Sequence, residues 1–259
     1  MAATLDAGLF LPQALPGLDA QIEPSSLNPA RLFLAHALLA VVLAAWALAA
    51  YGGGRPRVEP SAPVPPAGPG PPAAELAAAP APVPSRLRDA AAALRLRARQ
   101  PGREVGLGLL AGVGAWALVL AAALALYGVI RALGGADLLP SGIPPLVGYV
   151  ARQPWALRLG ISFSAGLAEE GFFRGFLQPR LGLALTTLLF VLAHASYGQP
   201  LQLVAVGLLS IIYGLLTRWR GNIWAAVTAH ALFDAVQLLV VIPAALEAAP
   251  GGGLPVPVG

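Results

Sequence analysis

The sequence predicts an all-α, polytopic integral membrane protein: a helical bundle with about six transmembrane helices. Of its 259 residues, 57% are hydrophobic and only 11% are charged. Soluble domains carry about 25% charged residues, so this composition excludes an ordinary soluble domain and a disordered chain. The mean hydropathy is +0.73, and apolar stretches of about 20 residues, which is the length that crosses a bilayer, recur along the chain.

Six apolar stretches come close to the required length. In chain order they are residues 32–51, 105–130, 155–177, 181–195, 201–216 and 223–246. The third ends at Pro179, because proline cannot continue a helix. The fourth and fifth are short and are joined by a Gly-Gln-Pro turn at residues 198–200.

The spans divide the chain into five predicted segments. These are an N-terminal extension (1–30), the first transmembrane helix (31–51), a Pro/Ala-rich linker with a basic helix (52–104), the transmembrane bundle (105–247) and a tail (248–259). The N-terminal extension lacks the features of a signal peptide. Residues 52–84 are mostly Pro, Ala and Gly, a composition that builds no packed core, so we expect an extended, mobile linker.

The basic residues indicate orientation. All sixteen are Arg, and with the N-terminus outside, eleven of them fall on the inner side of the membrane, four on the outer side and one, Arg174, inside the third span. The positive-inside rule therefore predicts an N-out, C-out protein. Residues 86–103 alternate Arg with Leu and Ala and are expected to be helical. An interfacial helix on anionic lipid is one interpretation of them, and a simple topology signal is the favoured one. The net charge of +4 is too small and dispersed to indicate nucleic acid.

A few ionisable side chains fall inside the predicted spans. They are Glu169, Glu170, Arg174, His194, His230 and Asp234. A charge near the bilayer centre costs at least about 2.5–3.5 kcal/mol, so such residues are functional candidates by default. His36 lies in the first span with no acidic neighbour there, and we expect it to be a tolerated interior residue.

Depth and spacing group these residues. At 1.5 Å per residue, Glu169 and His194 lie about 16 Å from the inner ends of their helices, and His230 lies about 14 Å in. Three helices are thus predicted to bring Glu, His and His to one level. Residues four apart share a helix face. This spacing predicts pairs between Glu170 and Arg174, between His230 and Asp234, and between Phe190 and His194. Glu169 is rotated about 100° away from Glu170 and is left for another partner.

This residue set suits water activation. A buried Glu beside a His can act as a general base on water, and a second His can stabilise the resulting oxyanion. The chain has no Cys and no Ser placed beside a His as a dyad, so direct attack by water is favoured over an acyl-enzyme. Glu169, His194 and His230 could instead ligate a zinc ion, and residue types alone do not decide between the two. A purely structural interhelical polar network is the further alternative.

Three motifs in order carry a family resemblance. Residues 169–174 read EEGFFR, a match to EExxxR; residues 190–194 read FVLAH, a match to FxxxH; and residues 230–234 read HALFD, a match to HxxxN/D. Together, on three hydrophobic helices, they resemble the CAAX-protease and bacteriocin-processing family (CPBP, or ABI) of intramembrane proteases, which includes the type II CAAX prenyl endopeptidases. The resemblance covers about residues 155–246.

The resemblance implies a membrane-embedded endopeptidase whose catalytic residues are Glu169, His194, His230 and Asp234. Glu169 would be the general base, His194 would orient the water, and His230 with Asp234 would stabilise the oxyanion. Glu170, Arg174 and Phe190 would support the site. The last motif position is often Asn, whereas an ionised Asp234 cannot donate a hydrogen bond, so it must be protonated or must orient His230.

The same resemblance gives expectations about the cofactor, the substrate and the location of the protein. No cofactor is required in the favoured mechanism, although part of the family is labelled metalloprotease and a divalent metal such as zinc stays open. The eukaryotic branch cleaves after a prenylated Cys, but this Lys-free, Cys-free, Arg- and Ala-rich chain looks bacterial. We therefore expect a membrane-associated or transmembrane peptide substrate in the bacterial cytoplasmic membrane. A non-catalytic scaffold or bacteriocin-immunity-type protein is the alternative function.

Overall fold

The computed structural model describes residues 29–51, 83–135, 145–195 and 200–248, and within these ranges the chain is helical with no strand. The predicted N-terminal extension, most of the linker and the tail lie outside the described residues. The elements are α1 Pro29–Tyr51, α2 Val83–Ala93, α3 Pro101–Ala132, α4 Pro145–Ala151, α5 Trp155–Glu169, π1 Glu170–Leu177, α6 Gln178–Ala193, α7 Pro200–Arg220, α8 Trp224–Val236, π2 Gln237–Val241 and α9 Ile242–Ala248. Here π1 and π2 are π-helices.

The number of membrane-crossing helices agrees with the prediction. Within the described residues, five helical stretches are long and apolar enough to cross a bilayer. One of them, Trp155–Ala193, has 39 residues and would extend about 58 Å if it were straight, nearly twice the hydrocarbon thickness. It is divided at Gly182, whose φ of 77° and ψ of 173° are not helical. The division separates the third predicted span from the fourth, so the five stretches correspond to about six helices in an integral membrane protein.

The Arg-rich segment differs from the prediction of a single helix over residues 86–103. Helix α2 ends at Ala93, and α3 begins at Pro101. Between them Arg95 has a φ of +57°, in the left-handed region that interrupts a helix. Its carbonyl accepts from the backbone N–H of Ile223 at 3.1 Å, and the indole Nε1 of Trp224 donates to the Leu96 carbonyl at 2.7 Å. The break therefore ties this segment to the start of α8.

Both π-helices precede a proline. Pro179 follows π1 and Pro243 follows π2, and a proline has no N–H to complete the α-helical ladder, which widens into π geometry. In π2 the carbonyl of Leu238 lies five residues before Pro243, which has no N–H to donate to it. This carbonyl accepts a hydrogen bond from the guanidinium of Arg158 on α5 at 2.8 Å. A following proline thus accompanies both π-helices, and in π2 a tertiary hydrogen bond replaces one that the helix lacks.

Helix α8 lies at the centre of the bundle and packs closely against α3 and α5. An added Cβ at Gly108 of α3 would lie 2.5 Å from the Cβ of Thr228 and 2.7 Å from the Ala225 carbonyl. At Gly166 of α5 it would lie 2.9 Å from the Val227 carbonyl. Glycines on both neighbours therefore let the backbones approach α8, as small residues commonly do in membrane bundles.

A bidentate ion pair joins α3 to α7 at one end of the bundle. Arg220 donates from its Nε to one oxygen of Glu104 at 3.0 Å and from a terminal nitrogen to the other oxygen at 2.8 Å. The parallel fork geometry is the strongest form of Arg–carboxylate contact. It places the start of α3 and the end of α7 on the same side of the membrane, as the predicted spans require.

Gly108→Ala is expected to lower the free energy of unfolding by about 1–3 kcal/mol, because the added methyl group overlaps α8. Gly114→Ala on the same helix is the matched control, since a Cβ there meets nothing within 4 Å. Thermal unfolding of both variants in the same detergent measures the difference. Equal stability of the two variants would contradict the close α3–α8 packing.

Candidate active site

Two adjacent carboxylates lie at the junction of α5 and π1 and face different partners. Glu169 is the last residue of α5, and Glu170 is the first residue of π1. Glu170 is fully buried, whereas the side chain of Glu169 keeps 15% of its surface exposed. The 100° rotation between neighbouring helical residues separates them, as predicted. One carboxylate is therefore enclosed by protein and the other is partly accessible.

The Glu169 carboxylate lies between two imidazoles. The Nε2 of His194, at the end of α6, is 3.8 Å from one oxygen, and the Nε2 of His36, on α1, is 3.8 Å from the other. Both distances are longer than a direct hydrogen bond, and each is short enough for a water molecule to bridge the two atoms. Among the described residues, the oxygen facing His194 has no protein hydrogen-bond partner although it is buried. Such an oxygen can accept from a water molecule.

The α6 backbone orients His194. Its Nδ1 lies 2.8 Å from the Phe190 carbonyl oxygen, and because a carbonyl only accepts, Nδ1 carries the proton. Residues four apart in a helix are neighbours, so the FxxxH spacing itself supplies this contact. In the neutral ring the lone pair is then on Nε2, the nitrogen that faces Glu169.

Glu170 is the centre of a second, buried cluster. One oxygen lies 3.2 Å from the Nε of Arg174, and the other accepts from the Nδ1 of His230 at 2.9 Å. The Nε2 of His230 lies 3.5 Å from a carboxylate oxygen of Asp234. The predicted pairs Glu170–Arg174 and His230–Asp234 are thus present, and His230 is oriented from both ring nitrogens.

Aromatic rings enclose the two clusters. The Phe190 ring centroid is 4.5 Å from the His194 ring and 6.4 Å from the His230 ring, and the Arg174 guanidinium lies 4.7 Å above Phe190. On the other side Tyr213 of α7 stacks on His230 at 5.3 Å with an interplanar angle of 19°. Phe190 therefore contacts both imidazoles and the buried cation.

His36 is the residue that the sequence interpretation missed. The sequence shows no acidic neighbour for His36 in its own span, and in the structure its acidic neighbour is Glu169 on another helix, 3.8 Å from Nε2. Spacing could not reveal this contact, since the two residues are 133 positions apart on different helices. The one available signal was a histidine within an otherwise apolar span.

The three residues considered for zinc do not form a metal-binding arrangement. Glu169 faces His194, but His230 uses its Nδ1 for Glu170 and turns its Nε2 toward Asp234. Three ligands of one zinc ion must converge on a point about 2 Å from each. Within the described ranges, no group of three His, Asp or Glu side chains is placed to hold a metal ion. The donor set therefore does not fit a catalytic zinc ion.

Comparison with known families bears on the same residues. The family model described as "Type II CAAX prenyl endopeptidase Rce1-like" matches residues 151–236. That segment contains every residue of the three motifs. Over this segment the chain is similar to that family. The resemblance drawn from the motifs is thus confirmed, and His36 lies outside the matched part.

One curated relative matches a shorter stretch. The protein "Uncharacterized protein YpbD" of Bacillus subtilis (strain 168) is 40% identical over 70 residues, which is 27% of this chain and 37% of the relative. The chain therefore matches only about a third of that relative's length. No solved structure matches the chain significantly. The matched region is therefore similar to a CAAX-protease-like membrane protein.

Proposed function

We propose that the protein is an intramembrane endopeptidase that hydrolyses a peptide bond by direct attack of water. The observation that carries this proposal is the Glu169 carboxylate, partly exposed and 3.8 Å from the Nε2 of His194. A carboxylate and an imidazole at this separation can hold one water molecule between them. Both groups sit on helices packed within the bundle, which favours a fixed orientation.

Glu169 is the general base in this proposal. It accepts one proton from the water, while the Nε2 of His194 accepts a hydrogen bond from the other hydrogen and orients the oxygen. The oxygen lone pair then attacks the carbonyl carbon of the scissile amide. The electron pair of the carbonyl π bond moves onto its oxygen, which becomes a tetrahedral oxyanion.

His230 stabilises the oxyanion, and Asp234 orients His230. A donor fixed before the reaction stabilises developing charge better than water does. The Nδ1–H of His230 donates to Glu170 at 2.9 Å, so His230 must be the doubly protonated imidazolium for its Nε2 to carry a proton as well. An ionised Asp234 cannot itself donate, and from 3.5 Å it orients the ring as an acceptor of the Nε2–H, which it then shares with the oxyanion. This assignment uses the Asp that stands where related proteins often have Asn.

Collapse of the tetrahedral intermediate completes the hydrolysis. The oxyanion re-forms the carbonyl, the C–N bond breaks, and the proton held on Glu169 passes to the leaving nitrogen. The products are a carboxylic acid and an amine, and Glu169 is again ionised. The proposed substrate is a membrane-associated or transmembrane peptide, because the site lies within apolar spans. The N-out, C-out orientation in a bacterial cytoplasmic membrane belongs to the same proposal.

A membrane-peptide library tests the proposal. Wild-type protein in liposomes should release new N-termini, whereas Glu169→Ala and His194→Ala should release about 10²–10⁴-fold fewer. Glu247→Ala is the control, since it removes an exposed carboxylate on α9. Equal release by all four proteins would contradict the proposal. A wild-type protein that is folded and inactive would favour the non-catalytic scaffold.

Chelation is expected to leave the activity unchanged, since the three candidate ligands do not converge on one point. Wild-type protein is incubated with 1,10-phenanthroline, dialysed and assayed on the same peptides. A zinc protease treated in parallel shows that the chelator acts. Loss of activity that zinc restores would show that the helices rearrange around a metal ion.

A further inference from the structure

His36 reaches Glu169 from a helix outside the Rce1-like segment. Helix α1 packs on α5 and π1 through residues that share one face of the helix. On that face the Phe33 ring lies against Gly160, and a Leu43 methyl lies against Gly171. The positions 33, 36 and 43 differ by three and seven, which is the spacing of one helix face. His36 therefore points into the bundle while residues such as Val41 remain exposed.

The proton on His36 can be assigned from its partners. Its Nδ1 lies 2.9 Å from the Ser164 hydroxyl oxygen, and that hydroxyl donates its only hydrogen to the Ile161 carbonyl at 3.0 Å. Ser164 can therefore only accept from His36, so Nδ1 carries a proton. The orientation resembles that of His194, whose Nδ1 is also held by an acceptor.

The remaining nitrogen faces Glu169. The Nε2 of His36 is 3.8 Å from the carboxylate oxygen opposite to the one that His194 approaches. An ionised carboxylate offers only acceptors, so the contact needs a proton, either on Nε2 or on a bridging water. His36 thus restrains the oxygen of Glu169 that does not face His194.

We propose that His36 is a positioning residue of the active site, which holds Glu169 so that its other oxygen faces the attacking water. The inference rests on the proposed function and extends the site to the first transmembrane helix. Ser164 fixes the ring, and the α1 face that carries Phe33 and Leu43 fixes the helix. A carboxylate restrained on one oxygen only would lose orientation at the other.

Kinetics in liposomes provide the first test. His36→Ala should lower kcat by about 10–100-fold, the range typical of residues that orient a catalytic group, with KM unchanged. His36→Gln should retain more activity, because its amide can still donate to Glu169. Ser164→Ala should shift kcat in the same direction as His36→Ala. Val41→Ala on the exposed side of α1 is the control and should match wild type.

A spectroscopic test does not depend on activity. The chain has three histidines, so ¹⁵N-histidine labelling yields three imidazoles to follow by NMR. Glu169→Gln should shift the ring nitrogens of His36 and His194 most and those of His230 less, because the Glu169 charge acts on His230 only from a distance. Asp234→Asn should shift His230 most and His36 less, for the same reason. Assignment uses the loss of one signal in each His→Gln variant.

The outcomes separate the two proposals. If wild type cleaves peptides but His36→Ala has the kcat of Val41→Ala, the His36 assignment is overturned and the proposed function stands. If His36 signals do not respond to Glu169→Gln, the contact itself is absent and the assignment fails. If wild type cleaves nothing, the proposed function fails, and with it the role of His36 in catalysis.

Discussion

Glu169→Gln is expected to lower kcat by about 10²–10⁴-fold, the usual contribution of a general base. The amide has nearly the same shape as the carboxylate, so substrate binding and KM should stay close to wild type. Its nitrogen can only donate and its oxygen is a far weaker base than a carboxylate. The variant removes the proton acceptor and retains the packing between His36 and His194. Steady-state kinetics with one peptide selected from the library measure both constants.

Glu247→Gln makes the same chemical change at an exposed position of α9 and should have wild-type kinetics. Thermal unfolding should show both variants to be as stable as wild type. A Glu169→Gln protein with an unchanged kcat would remove Glu169 from the reaction. If Glu169→Gln lost both its activity and its fold, the comparison with Glu247→Gln and the histidine NMR spectrum would show whether the active site is intact.

Arg174→Met is expected to destabilise the bundle by about 3–5 kcal/mol, because it leaves the Glu170 carboxylate buried without its cation. Glu170 and Arg174 are both fully buried. Among the described residues, no group accepts a hydrogen bond of good geometry from the guanidinium nitrogens of Arg174. The guanidinium therefore depends on the ion pair at 3.2 Å and on the Phe190 face. Thermal unfolding in detergent gives the effect.

A double variant isolates the ion pair. Glu170→Gln with Arg174→Met removes both charges and keeps an acceptor for the Nδ1 of His230. Neutralising both partners avoids an unpaired buried charge, so the double variant should be more stable than Arg174→Met alone. Arg88→Met, at a site outside the bundle spans, is the matched control for loss of an Arg. Additive effects of the two substitutions would contradict a coupled pair.

The motif residues were predictable because their pairing is local. Glu170 with Arg174, His230 with Asp234, and the Phe190 carbonyl with His194 are each four residues apart on one helix. Such contacts follow from the helical repeat alone. Counting depth along three spans also predicted the level at which the helices bring these residues together.

The contacts of His36 and of the Arg-rich segment were not predictable in this way. His36 meets Glu169 only because α1 docks against α5 and π1, and no short-range pattern encodes that docking. In the Arg-rich segment, alternating Arg, Leu and Ala favour a helix, yet Arg95 and Leu96 give their carbonyls to Ile223 and Trp224. Tertiary hydrogen bonds overrode local helix propensity there.

The π-helices are an intermediate case. Pro179 predicted an end to the third span, and the structure has instead a widened turn that continues into α6 as far as Gly182. A proline can end a helix or locally distort it, and neighbouring helices decide which of the two occurs. The distortion places Glu170 and Arg174 inside π1, a geometry often found at functional sites.

The central claim is that Glu169 activates water for attack on a peptide bond, and isotope labelling in liposomes tests it most directly. Wild type is incubated with a library peptide in H₂¹⁸O, and the masses of the products are measured by mass spectrometry. We predict one ¹⁸O atom in the new carboxylate with wild type and about 10²–10⁴-fold less of this product with Glu169→Gln. Equal amounts of labelled product from both proteins, or no product from folded wild type, would contradict the claim.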